Sequence, residues 1–180
     1  ILTSQQLFDF EIEKLRAKEL ASYADADQFR KDLPPGFFLL VPPQPKELDL
    51  DHMVSLIEID GKKGQNFLDP EEYALDKTEI SKKPYLMLDV KDGGEWLNVH
   101  PQVSKVRILR DGRLPYTIWR GIIHVIVFPE VLKSHNTDLV DSPGMPFLCL
   151  YRGEPRLDSY RYLPYRFPGW GAPSCGSIRF

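Results

Sequence analysis

Cysteine is scarce in this sequence, and long apolar runs are missing. Only Cys149 and Cys175 occur among 180 residues. Two thiols do not make a disulfide framework in a domain of this size, so a reducing cytoplasm is the expected setting. The longest apolar run, Ile122 to Phe128, is broken by His124 and stopped by Pro129. A membrane helix needs about 18 or more apolar residues, so no membrane partner is expected. Glu11, Glu13, Lys14 and Arg16 interrupt the N-terminal stretch where a signal peptide would be apolar. Metal-binding spacings of the His-x-x-x-His or Glu-x-x-His type do not occur, nor does a closely spaced cysteine pair. Gly61-x-x-Gly64 and Gly93-Gly94 match neither of the glycine-rich phosphate loops. No cofactor and no metal are therefore expected. Asp89, Asp92 and His100 are the one set that would converge on a divalent ion, but an Asp-Gly turn accounts for Asp92 through its own backbone.

Excess charge of one sign is also lacking. The net charge is −3, which gives no global attraction for nucleic acid, and a nucleic-acid partner is not expected. The charge is uneven, however. Residues 151–180 hold five arginines against Glu154 and Asp158, a local +3 that leaves −6 on the rest.

The composition that remains, 42% hydrophobic and 27% charged, is that of a globular domain. Its 16 prolines point to many ordered turns rather than long regular elements. One domain over residues 1–180 is expected, with a helical N-terminal segment over 1–33. Thr3 or Ser4 caps a first helix to about Ala21, carrying Leu7, Phe8, Ile12, Leu15 and Leu20 at helical spacing. A short helical piece follows around Phe29. Phe37 to Val41, bounded by prolines, reads as an edge strand or pinned loop. Met53 to Ile59 reads as a strand, Asp60 to Gly64 as a hairpin loop and Asn66 to Leu68 as the return. Asp69-Pro70-Glu71-Glu72 starts a short helix. Tyr85 to Val90 is the clearest strand, and residues 98–109 read as a helix. Over Ile118 to Phe128, β-branched residues favour a strand, while eleven residues behind a Thr117 cap favour a helix. The helix is preferred. Pro129-Glu130-Val131-Leu132 is another helical start. Phe147–Tyr151 and Arg156–Tyr162 form a hairpin, and residues 163–180 form an ordered proline-rich loop. The fold class is α+β: a mainly antiparallel sheet with flanking helices and long proline-rich loops.

Short motifs recur in a suggestive order. They are Pro84-Tyr85-Leu86 with Asp89-Val90, Gly112-Arg113-Leu114-Pro115 with Thr117 and Gly121, Pro129-Glu130-Val131-Leu132, Gly153 with Pro155-Arg156-Leu157, and Gly169-Trp170. Over roughly residues 50–180 this order resembles an uncharacterised family of bacterial proteins, mainly actinobacterial. The last strand of this chain, Ser159-Tyr160-Arg161-Tyr162, departs from the family's tryptophan-rich pattern. The resemblance implies a bacterial, cytoplasmic, self-contained domain and transfers no catalytic residue.

Two functional readings follow from the residues. Tyr151, Tyr160, Tyr162, Tyr165, Phe167 and Trp170 alternate with Arg152, Arg156, Arg161 and Arg166. Flat rings beside bidentate donors suit a non-enzymatic binding or interaction module. Its partner would be a small anionic ligand or a protein, with Arg156, Arg161, Arg166 and Trp170 as the ligand-binding residues. Strand alternation offers a plainer account, in which the tyrosines face the core and the arginines face water. The alternative is a thiol-dependent enzyme. Cys175, in a flexible Gly/Ser/Pro loop, is then exposed and attacking, with His135 at a helix end or another histidine as base. Cys149 is expected to be buried in its strand and His124 to be a core histidine.

Overall fold

The computed structural model describes residues 2–69, 81–160 and 169–180. Helix α1, Ser4–Ala17, begins with a reciprocal cap: the Thr3 hydroxyl accepts from Gln6 N, and the Gln6 side chain accepts from Thr3 N. Its apolar face buries Leu7, Phe8, Ile12 and Leu15. Glu11 lies on that same face, with Oε2 accepting from Leu40 N at 2.7 Å and Oε1 without a partner. Burial holds this carboxyl well above its usual range, which favours the neutral acid. Helix α2, Tyr23–Arg30, leads to β1, Phe38–Val41, every residue of which is buried.

The strand expected over Met53–Ile59 begins as a helix instead: α3, Leu50–Ser55. Asp49 caps it by accepting from His52 N at 3.0 Å. Leu50, Met53, Val54 and Ile57 are buried at helical rather than alternating spacing. Only Glu58–Ile59 is extended, as β2, and it pairs with β3, Lys62–Lys63, around Asp60-Gly61. Both turn residues have positive φ, which such a two-residue turn demands. The expected return strand, β4, is shifted to Gln65–Asn66 and pairs elsewhere.

Strand β5, Tyr85–Leu88, is the centre of a three-stranded antiparallel sheet with β1 on one edge. Helix α4, Pro101–Arg110, opens with Pro101 after a His100 cap. After β6, Leu114–Pro115, comes α5, Ile118–Val127. The helical alternative prevails there because Thr117 caps it and nearly every side is covered. The helix contacts α1, β1 and the strand Pro146–Tyr151, so β-branched residues are held by tertiary packing despite low propensity. Gly121 lets Leu139 approach, since a Cβ there would lie 2.2 Å from Leu139 Cδ2. His124 is a core residue as expected. Its Nδ1 accepts from the Tyr116 hydroxyl at 2.9 Å, and burial lowers its pKa to about 4.

Helix α6, Val131–Ser134, precedes β7, Asn136–Asp138. The hairpin is present as β8, Pro146–Tyr151, and β9, Glu154–Ser159. The tail over 169–180 is not one loop but three short strands: β10, Trp170–Gly171; β11, Ser174–Cys175; and β12, Ser177–Arg179. β12 completes the three-stranded sheet. The second sheet runs β10-β7-β8-β9-β4. Its β7-β8-β9 centre is antiparallel and its two edge pairings are parallel. One apolar cluster draws residues from α1, α5 and both sheets, giving the expected α+β single domain. The helix start expected at Pro70 lies outside the described residues.

Candidate anion-binding cleft

The cleft forms where the first turn of α5 meets the start of β5. Arg120, in that first turn, is the cation of an otherwise apolar helix and stands in a recess. Its Nε donates to the Tyr85 hydroxyl at 3.3 Å and its Nη1 to Pro115 O at 3.1 Å. Tyr85 is buried, and burial raises its phenol above the ordinary value. The phenol therefore stays neutral and serves as an acceptor for the guanidinium.

Those two bonds use two of five N–H donors. Among the described residues no carboxylate lies within ion-pair distance of Arg120, and Nη2 makes no hydrogen bond there. A guanidinium partly removed from bulk water costs free energy, and the charge of Asp141 offsets that only at longer range than an ion pair. The inner recess encloses about 210 Å³ and is bordered by Gln44, Ser81, Leu114, Thr117 and Trp119. Thr117 to Trp119 place the positive end of α5 on the same wall. Asp141 also reaches this recess, but its Oδ1 lies 3.4 Å from Lys105 Nζ, which offsets its charge. An outer portion of about 550 Å³ shares Ser81, Tyr85 and Arg120 and adds Lys82, Lys83, Ile178 and Phe180. Lys82 and Lys83 are exposed and have no carboxylate partner among the described residues.

The residues singled out from the sequence fall elsewhere. Arg156 lies on β9 with its guanidinium stacked between Tyr151, 4.3 Å, and Phe67, 4.7 Å, while Nη2 is 3.7 Å from Glu154. Its Nε is buried without an acceptor. Trp170 shares that face of the sheet but stands three strands away, about 14 Å at the usual strand spacing. It is half-buried, edge-on to Phe147 at 4.3 Å and 5.3 Å from Tyr160. Tyr160 donates to Asp138 Oδ1 at 2.7 Å, and burial pushes the Asp138 pKa up to about 7. Arg161 and Arg166 lie outside the described residues.

The geometry corrects the picture of an exposed Cys175. It is fully buried in β11, which pairs with β6, and burial pushes its thiol up to about 11. The following Gly176 reflects close packing, since a Cβ there would meet the Asp89 side chain at 3.2 Å. His135 is buried as well, rather than exposed at its helix end, and its Nε2 donates to Asp92 O at 2.9 Å. Among the described residues no hydrogen bond joins Cys175 to a histidine; His124 binds Tyr116 instead. Cys149, expected in the core, is half-buried on the outward face of β8. Native labelling with a thiol reagent should therefore modify Cys149 before Cys175, read by mass mapping of the first adduct. Modification of Cys175 first would contradict the burial seen here.

Asp89, Asp92 and His100 are drawn into separate tasks. Asp89 pairs with Arg113, Asp92 Oδ1 accepts from Gly94 N, and His100 caps α4. Arg120, the residue that sequence reasoning missed, had one visible signal: an arginine inside the apolar Ile118–Phe128 run.

No curated protein and no solved structure matches the chain. The model of a family described as a family of unknown function, DUF5701, matches residues 2–139. That span takes in Lys82, Lys83, Tyr85 and Arg120 and stops before Arg156, Cys175 and Phe180. With most of its length matched, the chain belongs to the DUF5701 family, whose function is unknown.

Proposed function

We propose that the chain is a non-enzymatic binding module that holds a small anionic ligand against Arg120. The observation that carries this reading is the Arg120 guanidinium, set in a recess by Tyr85 and Pro115 O, with no carboxylate partner among the described residues. Lys82 and Lys83 on the rim draw anions inward and add little once one is bound, because exposed charges are screened. The reading moves the site from the Arg/aromatic C-terminal surface to the α5–β5 cleft. The sheet face bearing Arg156, Tyr151 and Phe67 remains the place for a protein partner, favoured by the buried Arg156 Nε that has no acceptor. A thiol-enzyme reading has no comparable support, since Cys175 is buried. A bacterial, cytoplasmic setting fits the two free thiols and the order of the sequence motifs.

Titration calorimetry with inorganic phosphate tests the proposal. Saturable binding at one site is expected. Arg120→Gln should weaken it about tenfold to a hundredfold, the range for losing charge-assisted hydrogen bonds. Lys82→Gln with Lys83→Gln should weaken it about threefold and flatten its salt dependence. Equal binding by a folded Arg120→Gln variant would contradict the assignment.

A further inference from the structure

The outer cleft carries an apolar wall beside its cations, and we infer that its ligand is an aromatic phosphate monoester. This rests on the anion reading of the cleft and specifies what the anion is attached to. Phe180 is 70% exposed, the most exposed large apolar side chain among the described residues. Its ring lies 5.7 Å from that of Tyr85 at an interplanar angle of 53°, and it lines the outer cleft. The Arg120 guanidinium carbon lies 6.0 Å from the same Tyr85 ring. Phe180 and Arg120 are thus each one contact away from a single buried tyrosine, with Ile178 lining the cavity that joins them.

The two compartments divide the ligand. The inner recess, about 210 Å³, is bordered by Arg120, Ser81 and Thr117, with Asp141 held by Lys105, and has the volume for a phosphate group. The outer portion, about 550 Å³, has room for a ring laid on Phe180 and Ile178. Arg120, Lys82 and Lys83 supply three positive charges at the cleft, which steer a dianion inward more strongly than a monoanion. A planar ring gains stacking contact with Phe180 that a bare anion cannot make. It would also cover apolar surface now open to water.

The experiment compares methyl phosphate with phenyl phosphate, which share a headgroup and differ in the body, by titration calorimetry on the full chain. Phenyl phosphate should bind at least about tenfold more tightly, since ring stacking adds roughly this factor or more. Phe180→Ala, an exposed substitution that leaves the core intact, should bring phenyl phosphate close to methyl phosphate and leave methyl phosphate unchanged. Equal affinities of the two esters for the unaltered chain would overturn the aromatic inference while the anion reading stands. So would a preference that survives Phe180→Ala. Failure of both esters to bind would remove the anion reading and this inference with it.

Discussion

Asp138→Asn is expected to stabilise the folded chain by about 2–4 kcal/mol above pH 7, with the gain fading toward pH 4. Asp138 is 1% exposed and its pKa is pushed up to about 7 by burial, against 3.8 for the free carboxyl. A carboxyl whose folded pKa is raised contributes stability that is fully present below its unfolded pKa. That contribution is lost as the pH rises through the folded value. The difference of about three units corresponds to roughly 4 kcal/mol at 1.36 kcal/mol per unit. Asparagine keeps an oxygen to accept from Tyr160 and cannot ionise. Urea denaturation of both proteins between pH 4 and 9 reads the difference directly. His124, whose lowered pKa weakens the fold as pH falls from 6.5 toward 4, is present in both and cancels. A difference that does not vary with pH would show that Asp138 ionises freely in the folded state.

Gly171→Ala is expected to destabilise the chain by about 3 kcal/mol, the upper part of the overpacking range. A Cβ at this position would lie 2.2 Å from Gly93 O and 2.8 Å from Gly93 C. These are backbone atoms, and they cannot swing aside as a side chain can. The Asp92-Gly93 turn is itself fixed, by the Asp92 O contact to His135 Nε2 and by Gly93 at φ 100°. Relief must come from separating β10 from that turn. In a chain of this length the loss lowers the melting temperature by about 6–12 °C. Gly36→Ala is the contrast: its φ is 83°, which Gly171 does not share, but nothing lies within 4 Å, so only local strain of about 1 kcal/mol applies. Equal melting temperatures for the two variants would refute the close approach.

Several elements were legible because their signals are local. The Thr117 cap and the sustained apolar run gave α5, and the Pro84-bounded run gave β5. Helix α3 was missed because six residues carry too little periodicity to separate a helix from a strand, and the deciding signal was the Asp49 cap. Cys175 was misplaced because its neighbouring glycines imitate a flexible loop, whereas the pairing of β11 with β6 and the contact of Gly176 with Asp89 bury it. The Arg120 cleft was not legible. Its meaning depends on Tyr85, 35 positions from Arg120, supplying a phenol, and on no carboxylate among the described residues forming an ion pair with Arg120. No spacing rule records either fact. The Arg/aromatic alternation after residue 151 did mark a real feature, the stacking of Arg156 on Tyr151, but not the placing of Arg156 beside Trp170.

The most direct test of the cleft follows the Arg120 Nε–H resonance by nuclear magnetic resonance while inorganic phosphate is added. An anion seated in the recess changes the field at this N–H, which already donates to Tyr85. A saturating shift of the Arg120 signal, with the same dissociation constant that calorimetry gives, is the predicted result. Calorimetric binding that leaves Arg120 unmoved while signals from Arg152 or Arg156 shift would contradict it, and would place the anion on the opposite sheet.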